Sequence, residues 1–368
     1  MSFLRILAFP AALVVSALLG HAEDIFLAKR VFVYTGGGQT YAVPAGVSKI
    51  TVKVWGAGGG SGVNQMGGAG AFAWATYSVS PGEVFDVYVG GGGQGYMSGG
   101  WPGGGSAKGL GGSGGGGYSR IWKSGADVWA GGGGGGGNAF GVGGPGGLNG
   151  GNGSGPNSTA GKGATQSGGG AGGWGDFGGA DAGGYGQGGG SGPASGYIGG
   201  GGGGGVYGGG GGASGNWGNG GAGGGGGSSG VFGSALASGI EGGSGNAPGG
   251  KSDPDYPSYA DAGNTWCGYG AGSNVYESGY NGCVVILAYV SRAPVTNFTV
   301  NGVDLNAVFH PKTSGSAAGT TGFTVNGVDL NQLFEPASSS SQRTGATNFT
   351  VNGTDLKDVF CPLGKAGQ

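Results

Sequence analysis

The chain has 368 residues, of which 110 are glycine, only 9% are charged, and the formal net charge is −2. Average glycine usage is roughly 7%, so this is not the composition of an ordinary globular domain. The charge balance argues against a nucleic-acid binder, which needs a basic patch. Glycine in blocks with 14 prolines excludes collagen, and 10% aromatic residues argue against a free Gly/Ser linker.

Residues 1–22 read as a secretory signal peptide. Arg5 supplies the positive end, Ile6 to Leu19 is apolar but too short to span a bilayer, and Gly20-His21-Ala22 is a small-x-small cleavage site. Residues 23–30, with the dibasic pair Lys29-Arg30, are expected to be a short spacer or propeptide. No later segment is long and apolar enough to cross a membrane. The expected location of the mature chain is therefore secreted, extracellular or on the cell surface, with no membrane span.

A domain is expected over 31–290. Phe32-Val33-Tyr34 reads as a first short strand and Pro44-Ala45-Gly46 as a turn. Lys49 to Trp55 alternates, with Ile50, Val52 and Val54 on one face, and predicts a half-buried strand. Ala71 to Val79 predicts another strand, with Phe72 and Trp74 on one face and the alanines and Tyr77 on the other. Val84 to Val89 follows, with Phe85, Val87 and Val89 together. Short strands are also predicted around Tyr118–Trp122 and Ala126–Ala130. Cys283 to Val290 returns as a continuous apolar strand, expected to pair back with the first ones.

Between Gly91 and Gly230 there is too little aliphatic mass for an ordinary core, and single aromatics such as Trp101, Trp174, Tyr185, Tyr207 and Trp217 interrupt the glycines. Glycine adopts extended threefold helices of the polyproline II type, whose peptide groups point outward. Packed side by side without Cβ atoms, such helices can satisfy one another's N–H and C=O groups. The expected fold class is thus mainly β: a β-sandwich frame holding an inserted bundle of polyglycine II-type helices.

The stretches "YAVPAGVSKITVKVWGAGGG", "GGAGAFAWATYSVSPGEVFDVYVGGGG" and "NGCVVILAYV" resemble the extracellular glycine-rich domain of bacterial, phage and protist proteins. A relative of that domain lies in the ectodomains of anaplastic lymphoma kinase-type receptors. The resemblance covers about 260 residues, although the middle aligns only by composition. It implies a β-sandwich with an inserted bundle of glycine helices, and no catalytic residues.

Over 291–368 one motif appears three times, at 298–309, 323–334 and 349–360, on Ser/Thr/Gly-rich linkers. Its recurring residues are Phe298, Asp304, Leu305 and Phe309, then Phe323, Asp329, Leu330 and Phe334, then Phe349, Asp355, Leu356 and Phe360. Phe-Thr-Val predicts a short strand, Asn-Gly a tight turn, and the aspartate the cap of one helical turn that places Leu and Phe four apart on one face. Twelve residues cannot bury that face alone. The units therefore stack on each other, on the glycine domain or on a partner, and repetition on flexible spacers suits multivalent attachment.

Cys267 and Cys283 are a candidate disulfide, which would leave Cys361 unpaired. Candidate glycosylation sequons stand at Asn152, Asn157, Asn297, Asn348 and Asn352. Several chemical motifs match by composition alone. Gly245 to Ser252 fits the P-loop pattern, but Pro254 and Pro257 forbid the helix that must follow. Gly111 to Gly115 fits a nucleophile elbow around Ser113, yet His310 is the only histidine after the signal. Asp253, Asp255 and Asp261 could bind calcium in a loop, although a solvated acidic loop is the simpler reading.

No catalytic residue, cofactor or metal is expected. The function expected is that of a secreted, non-enzymatic structural or adhesive protein, with the glycine domain as rigid spacer or binding head and the repeats as attachment or assembly modules. Its partner would be an extracellular surface, a matrix or further copies of itself in an oligomer. The alternatives are an adhesin for carbohydrate or a receptor ligand and, with less support, an ice-binding protein.

Overall fold

The computed structural model describes residues 23–138, 140–156, 159–216 and 221–292, together with the dipeptides 299–300, 303–304, 324–325, 328–329, 350–351 and 354–355. The expected signal peptide, Trp217 and most of each repeat lie outside the described residues. Among those described there is no helix, and the regular structure is β.

The alternating segments form strands where their apolar faces predict them. They are β3 (Lys49–Trp55), β4 (Phe72–Ser78), β5 (Val84–Tyr88), β6 (Ser119–Lys123) and β7 (Ala126–Ala130), preceded by two strands not predicted at these bounds, β1 (Glu23–Phe32) and β2 (Gln39–Ala42). Two dipeptide strands, β8 (Trp174–Gly175) and β9 (Gly178–Gly179), precede β10 (Gly230–Gly233), β11 (Ala237–Glu241) and β12 (Cys283–Arg292). One sheet runs β1-β12-β3-β4-β11 and a second runs β10-β7-β6-β5-β2. The last apolar strand does pair back on the first: β12 is antiparallel to β3, with Val284 opposite Val54 and Ile286 opposite Val52.

A single buried cluster draws on both sheets. Ile50, Val52, Val54, Ala73, Ala75, Tyr77 and Ile286 from the first meet Phe85, Val87, Ile121 and Val128 from the second. Burying aliphatic side chains of this size stabilises by about 1.5–3 kcal/mol each.

Three expectations are corrected here. Residues 23–30 are no spacer, because they make up most of β1. β3 is not half-buried, because Lys53 and Trp55 on its other face are also covered. There Trp55, Phe72, Val285 and Leu287 pack against Ala262 and Cys267 from the segment between β11 and β12. The glycine layer, finally, is not confined to Gly91–Gly230, because stretches around 56–71 and 268–282 belong to it as well.

The order in that layer is carried by the backbone. Along 131–137 the N–H groups take three neighbours in turn. Gly132 and Gly135 donate to Gly204 and Gly201, Gly133 and Gly136 to Ala57 and Gly60, and Gly134 and Gly137 to Gly144 and Gly141, all at 2.7–3.0 Å. The carbonyls alternate in the same way. Those of Gly131 and Gly134 accept from Ala71 and Gly68, those of Gly132 and Gly135 from Gly227 and Gly224, and those of Gly133 and Gly136 from Gly116 and Ser113. One glycine segment is thereby bonded to six others. A Cβ on Gly134 would overlap the Gly224 carbonyl oxygen, so the spacing itself demands glycine.

The C-terminal dipeptides pair within each repeat. Thr299–Val300 is antiparallel to Val303–Asp304, Thr324–Val325 to Val328–Asp329, and Thr350–Val351 to Thr354–Asp355. The Thr-Val pair of each expected strand is thus matched by a second strand that the sequence reading omitted, while the Phe and Asn-Gly residues lie outside the described residues. Asp304, Asp329 and Asp355 end that second strand, while the helical turn they were expected to cap lies outside the described residues.

Candidate functional site

The strands feed the glycine layer from one end of the sheets, and this sorts every connection into near or far. Gly131 follows β7 directly, and the chain reverses after Gly137, whose N–H bonds to Gly141. Seven extended residues carry that reversal roughly 20 Å from the strand end. Other connections gather there. Asn138 donates to Ile198, Gly221 to Tyr197, Met97 to Gly112, and Ser61 to Glu277.

The far connections are studded with apolar groups. Trp174 is 74% exposed, Leu110 71% and Tyr96 60%, with Met97 and Phe177 more than one-third exposed. Tyr96 stacks on Tyr276 with ring centroids 4.6 Å apart, and Phe140 meets Tyr197 edge-on at 5.8 Å. Apolar side chains would ordinarily be drawn into a core, but the glycine layer has no side-chain space to receive them. They stay at its ends.

The near connections hold a different aromatic set. Tyr185 bridges to Tyr207 and meets Trp129 of β7 at 5.8 Å, while Trp101 meets Tyr88 of β5 at 6.1 Å. Burial pushes the Tyr118 phenol, beside Trp129, above its usual range. Of the aromatics singled out in the sequence, Trp174 is therefore at the far end, whereas Trp101, Tyr185 and Tyr207 are at the near one.

The other sequence candidates resolve one by one. Cys267 and Cys283 are disulfide-bonded, with Cα atoms 5.7 Å apart, and clip the covering segment to the start of β12. Cys361 lies outside the described residues. So do Asn157, Asn297, Asn348 and Asn352, and with them Phe298, Leu305, Phe309, Phe323, Leu330, Phe334, Phe349, Leu356 and Phe360. Asn152 is exposed, and its side-chain oxygen accepts from the Gly163 N–H at 3.0 Å.

In the acidic loop Asp261 is exposed, whereas Asp253 and Asp255 are partly buried against lysines. Asp253 and Asp255 both accept from the Lys53 ammonium, at 2.7 and 2.8 Å, Asp255 also pairs with Lys29, and Asp261 accepts from Ser258. Burial disfavours the Lys53 charge, but the two carboxylates outweigh it and hold the ammonium above its usual range. Burial likewise opposes the Asp255 charge, and Lys53 with Lys29 outweighs it, so that carboxyl sits below its usual range. Among the described residues no cluster of His, Cys, Asp and Glu is placed to hold a metal.

Ser113 is fully buried, with its hydroxyl 2.6 Å from the Gly60 oxygen and 2.8 Å from the Gly136 oxygen. It fills a gap in the glycine layer. Lys251, in the P-loop-like stretch, lies 5.4 Å from the centre of the Tyr269 ring, and the following residues form turns. No helix among the described residues is long and apolar enough to cross a membrane. Comparison with protein-family models and with curated proteins finds no match.

Proposed function

We propose that the protein is an exported, non-enzymatic structural or adhesive surface protein. Its glycine-rich domain serves as a rigid binding head or spacer, and its three C-terminal repeats serve as attachment or assembly modules. The finer fold reading belongs to the same proposal, with the two sheets as leaves of a β-sandwich and the glycine segments as polyglycine II-type helices. The threefold alternation of partners along 131–137 supports it, since a helix of three residues per turn addresses the same neighbour every third residue. The resemblance to extracellular glycine-rich domains points the same way.

The observation that carries the functional reading is the far end of the layer. A hydrogen-bonded lattice holds Trp174, Leu110 and Tyr96 out in solvent. Exposed apolar groups gathered in one place are the usual mark of an interaction site. The ring faces among them favour a second reading, an adhesin for carbohydrate or a receptor ligand, because rings stack on the apolar faces of partners.

Two experiments test these readings. Deleting residues 291–368 is expected to abolish surface retention or assembly, and unchanged retention would remove the attachment role from the repeats. Trp174→Ala and Tyr96→Ala are expected to weaken adhesion without lowering the melting temperature. If both variants adhere like the parent, the far end is not the binding head. A glycan array that gives no signal at all counts against the second reading and leaves the structural one standing.

A further inference from the structure

The two sheets differ on their outer faces. The first sheet's is covered: Trp55 and Phe72 lie beneath Ala262, Cys267 and Tyr256. The second sheet's is covered only in part: Tyr118 and Tyr185 lie against Trp129, while beside it strand register lines up Asp86, Trp122, Asp127 and Phe232 as one row across β5, β6, β7 and β10. Trp122 is 41% exposed and Phe232 45%.

The rings in this row are held in place. Atoms of the Phe232 ring lie 2.6 Å from where a Cβ on Gly230 would stand, so the ring occupies the space above that glycine. Arg120 stands between Trp122 and Trp129, with its guanidinium carbon 5.6 Å and 4.2 Å from the two ring centres. Two parallel hydrogen bonds of 2.8 Å fasten the same guanidinium to Asp127. Such a bidentate pair is rigid as well as neutral overall. One carboxylate, Asp86, has no ion-pair or hydrogen-bond partner among the described residues.

We propose that this face binds an uncharged, hydroxyl-rich glycan chain, laid across the strands over Trp122 and Phe232. The two residues are two strands apart, about 10 Å, a length covered by neighbouring sugar rings of an extended chain. Ring faces suit the C–H faces of pyranoses, and Asp86 and the rim of the Arg120–Asp127 pair suit their hydroxyls. Charge selects the class. The one guanidinium is already matched, and a free carboxylate accepts from hydroxyls but repels an anionic polysaccharide. This site is separate from the far end of the glycine layer and does not depend on it.

The test is affinity electrophoresis of the full chain through gels containing soluble β-glucan, xylan or mannan, with polygalacturonate as the anionic comparator. Retardation is expected in at least one neutral gel and not in polygalacturonate. Trp122→Ala and Phe232→Ala should each weaken it about tenfold, as loss of a central ring contact does. Asp86→Asn should weaken it less, and Tyr259→Ala, at an exposed ring on the segment between β11 and β12, should leave it unchanged. Both aromatic variants alter exposed side chains, and a melting temperature equal to the parent's verifies folding. Passage through all neutral gels without retardation would overturn the proposal, as would parental binding by Trp122→Ala. Stronger retardation by polygalacturonate would overturn it too, and so would a concentration-dependent dimer that Trp122→Ala dissociates, since the face would then belong to a second copy.

Discussion

The sheets and the glycine layer are both densely buried, yet they are held by opposite means. In the sheets, side chains such as Ile50, Val87 and Ile286 fill the interior, and the backbone bonds are only those of neighbouring strands. In the glycine layer the interior is backbone, and a segment such as 131–137 is bonded to six others. Each hydrogen bond contributes only about 0.5–1.5 kcal/mol net, so the layer depends on making nearly all of them. Ordering glycine also costs more entropy than ordering any other residue. The sheets can therefore tolerate a change of side chain, whereas the interior of the layer, at positions such as Gly134, cannot tolerate the addition of one.

The largest expected effect follows from that difference. Gly134→Val would drive a side chain into the Gly224 carbonyl, and no flexible group stands nearby to give way. We expect a loss of about 3 kcal/mol or more, read as a lowered denaturant midpoint, with faster amide exchange across 131–144. Uniformly fast exchange in the parent protein would show instead that the layer is not an ordered lattice.

Next comes the clip between the covering segment and β12. Cys267 and Cys283 are 16 residues apart, and closing a loop of that length is worth about 3 kcal/mol in the chain-entropy account. The double Cys→Ser variant should lose about that much. Its first local opening should expose Trp55, with a red shift in fluorescence, and leave the second sheet protected. Simultaneous loss of protection in both sheets would mean that they unfold as one unit.

A smaller effect concerns the ion cluster under the same cover. The Asp255 carboxyl is held below its ordinary value of 3.8. A depressed carboxyl stabilises the fold above its unfolded value, and that contribution is lost as the pH falls through the folded one. Asp255→Asn should therefore cost less than about 1 kcal/mol at pH 7, and its stability should converge with the parent's below the usual carboxylate range. Lys53 behaves in mirror image. Its raised value keeps its contribution intact below 10.5 and lets it fade as the pH climbs past the folded value. A gap between Asp255→Asn and its parent that stays constant from neutral pH into strong acid would rule out ionisation as the cause.

Much of the frame was legible because alternation is a local signal. Lys49–Trp55 appears at its predicted bounds, and Phe72–Ser78, Val84–Tyr88 and Ser119–Lys123 within one or two residues. Gly230–Gly233 and Ala237–Glu241 escaped, being short and without a repeating apolar face. β1 escaped because it begins directly after the expected signal peptide. The cover over Trp55 was invisible for a physical reason: Lys53 at the centre of an alternating strand reads as a solvent face, and only the distant Asp253 and Asp255 reveal it as a buried pair. For the candidate site, the aromatics were plain in the sequence but their positions were not. Whether an aromatic falls near the sheets or far from them depends on how many reversals precede it. Tyr185 lies only 11 residues beyond Trp174, yet belongs to the opposite end.

The smallest expected effect tests whether location in the lattice, and not glycine content as such, sets the sensitivity. Gly184 lies at the near edge, is exposed, and would place a new Cβ with nothing within 4 Å. It is not among the glycines with positive φ. Gly184→Ala should therefore leave the N–H to Gln187 in place and reduce the entropy of the unfolded chain, giving a protein unchanged or up to about 1 kcal/mol more stable. The same substitution at Gly134 should be destabilising, which puts opposite signs on one chemical change at two positions of one layer. If Gly184→Ala were as damaging as Gly134→Ala, close approach of backbones could not be the reason glycine is required. The demand would then lie in conformational freedom, which every glycine of the chain possesses equally.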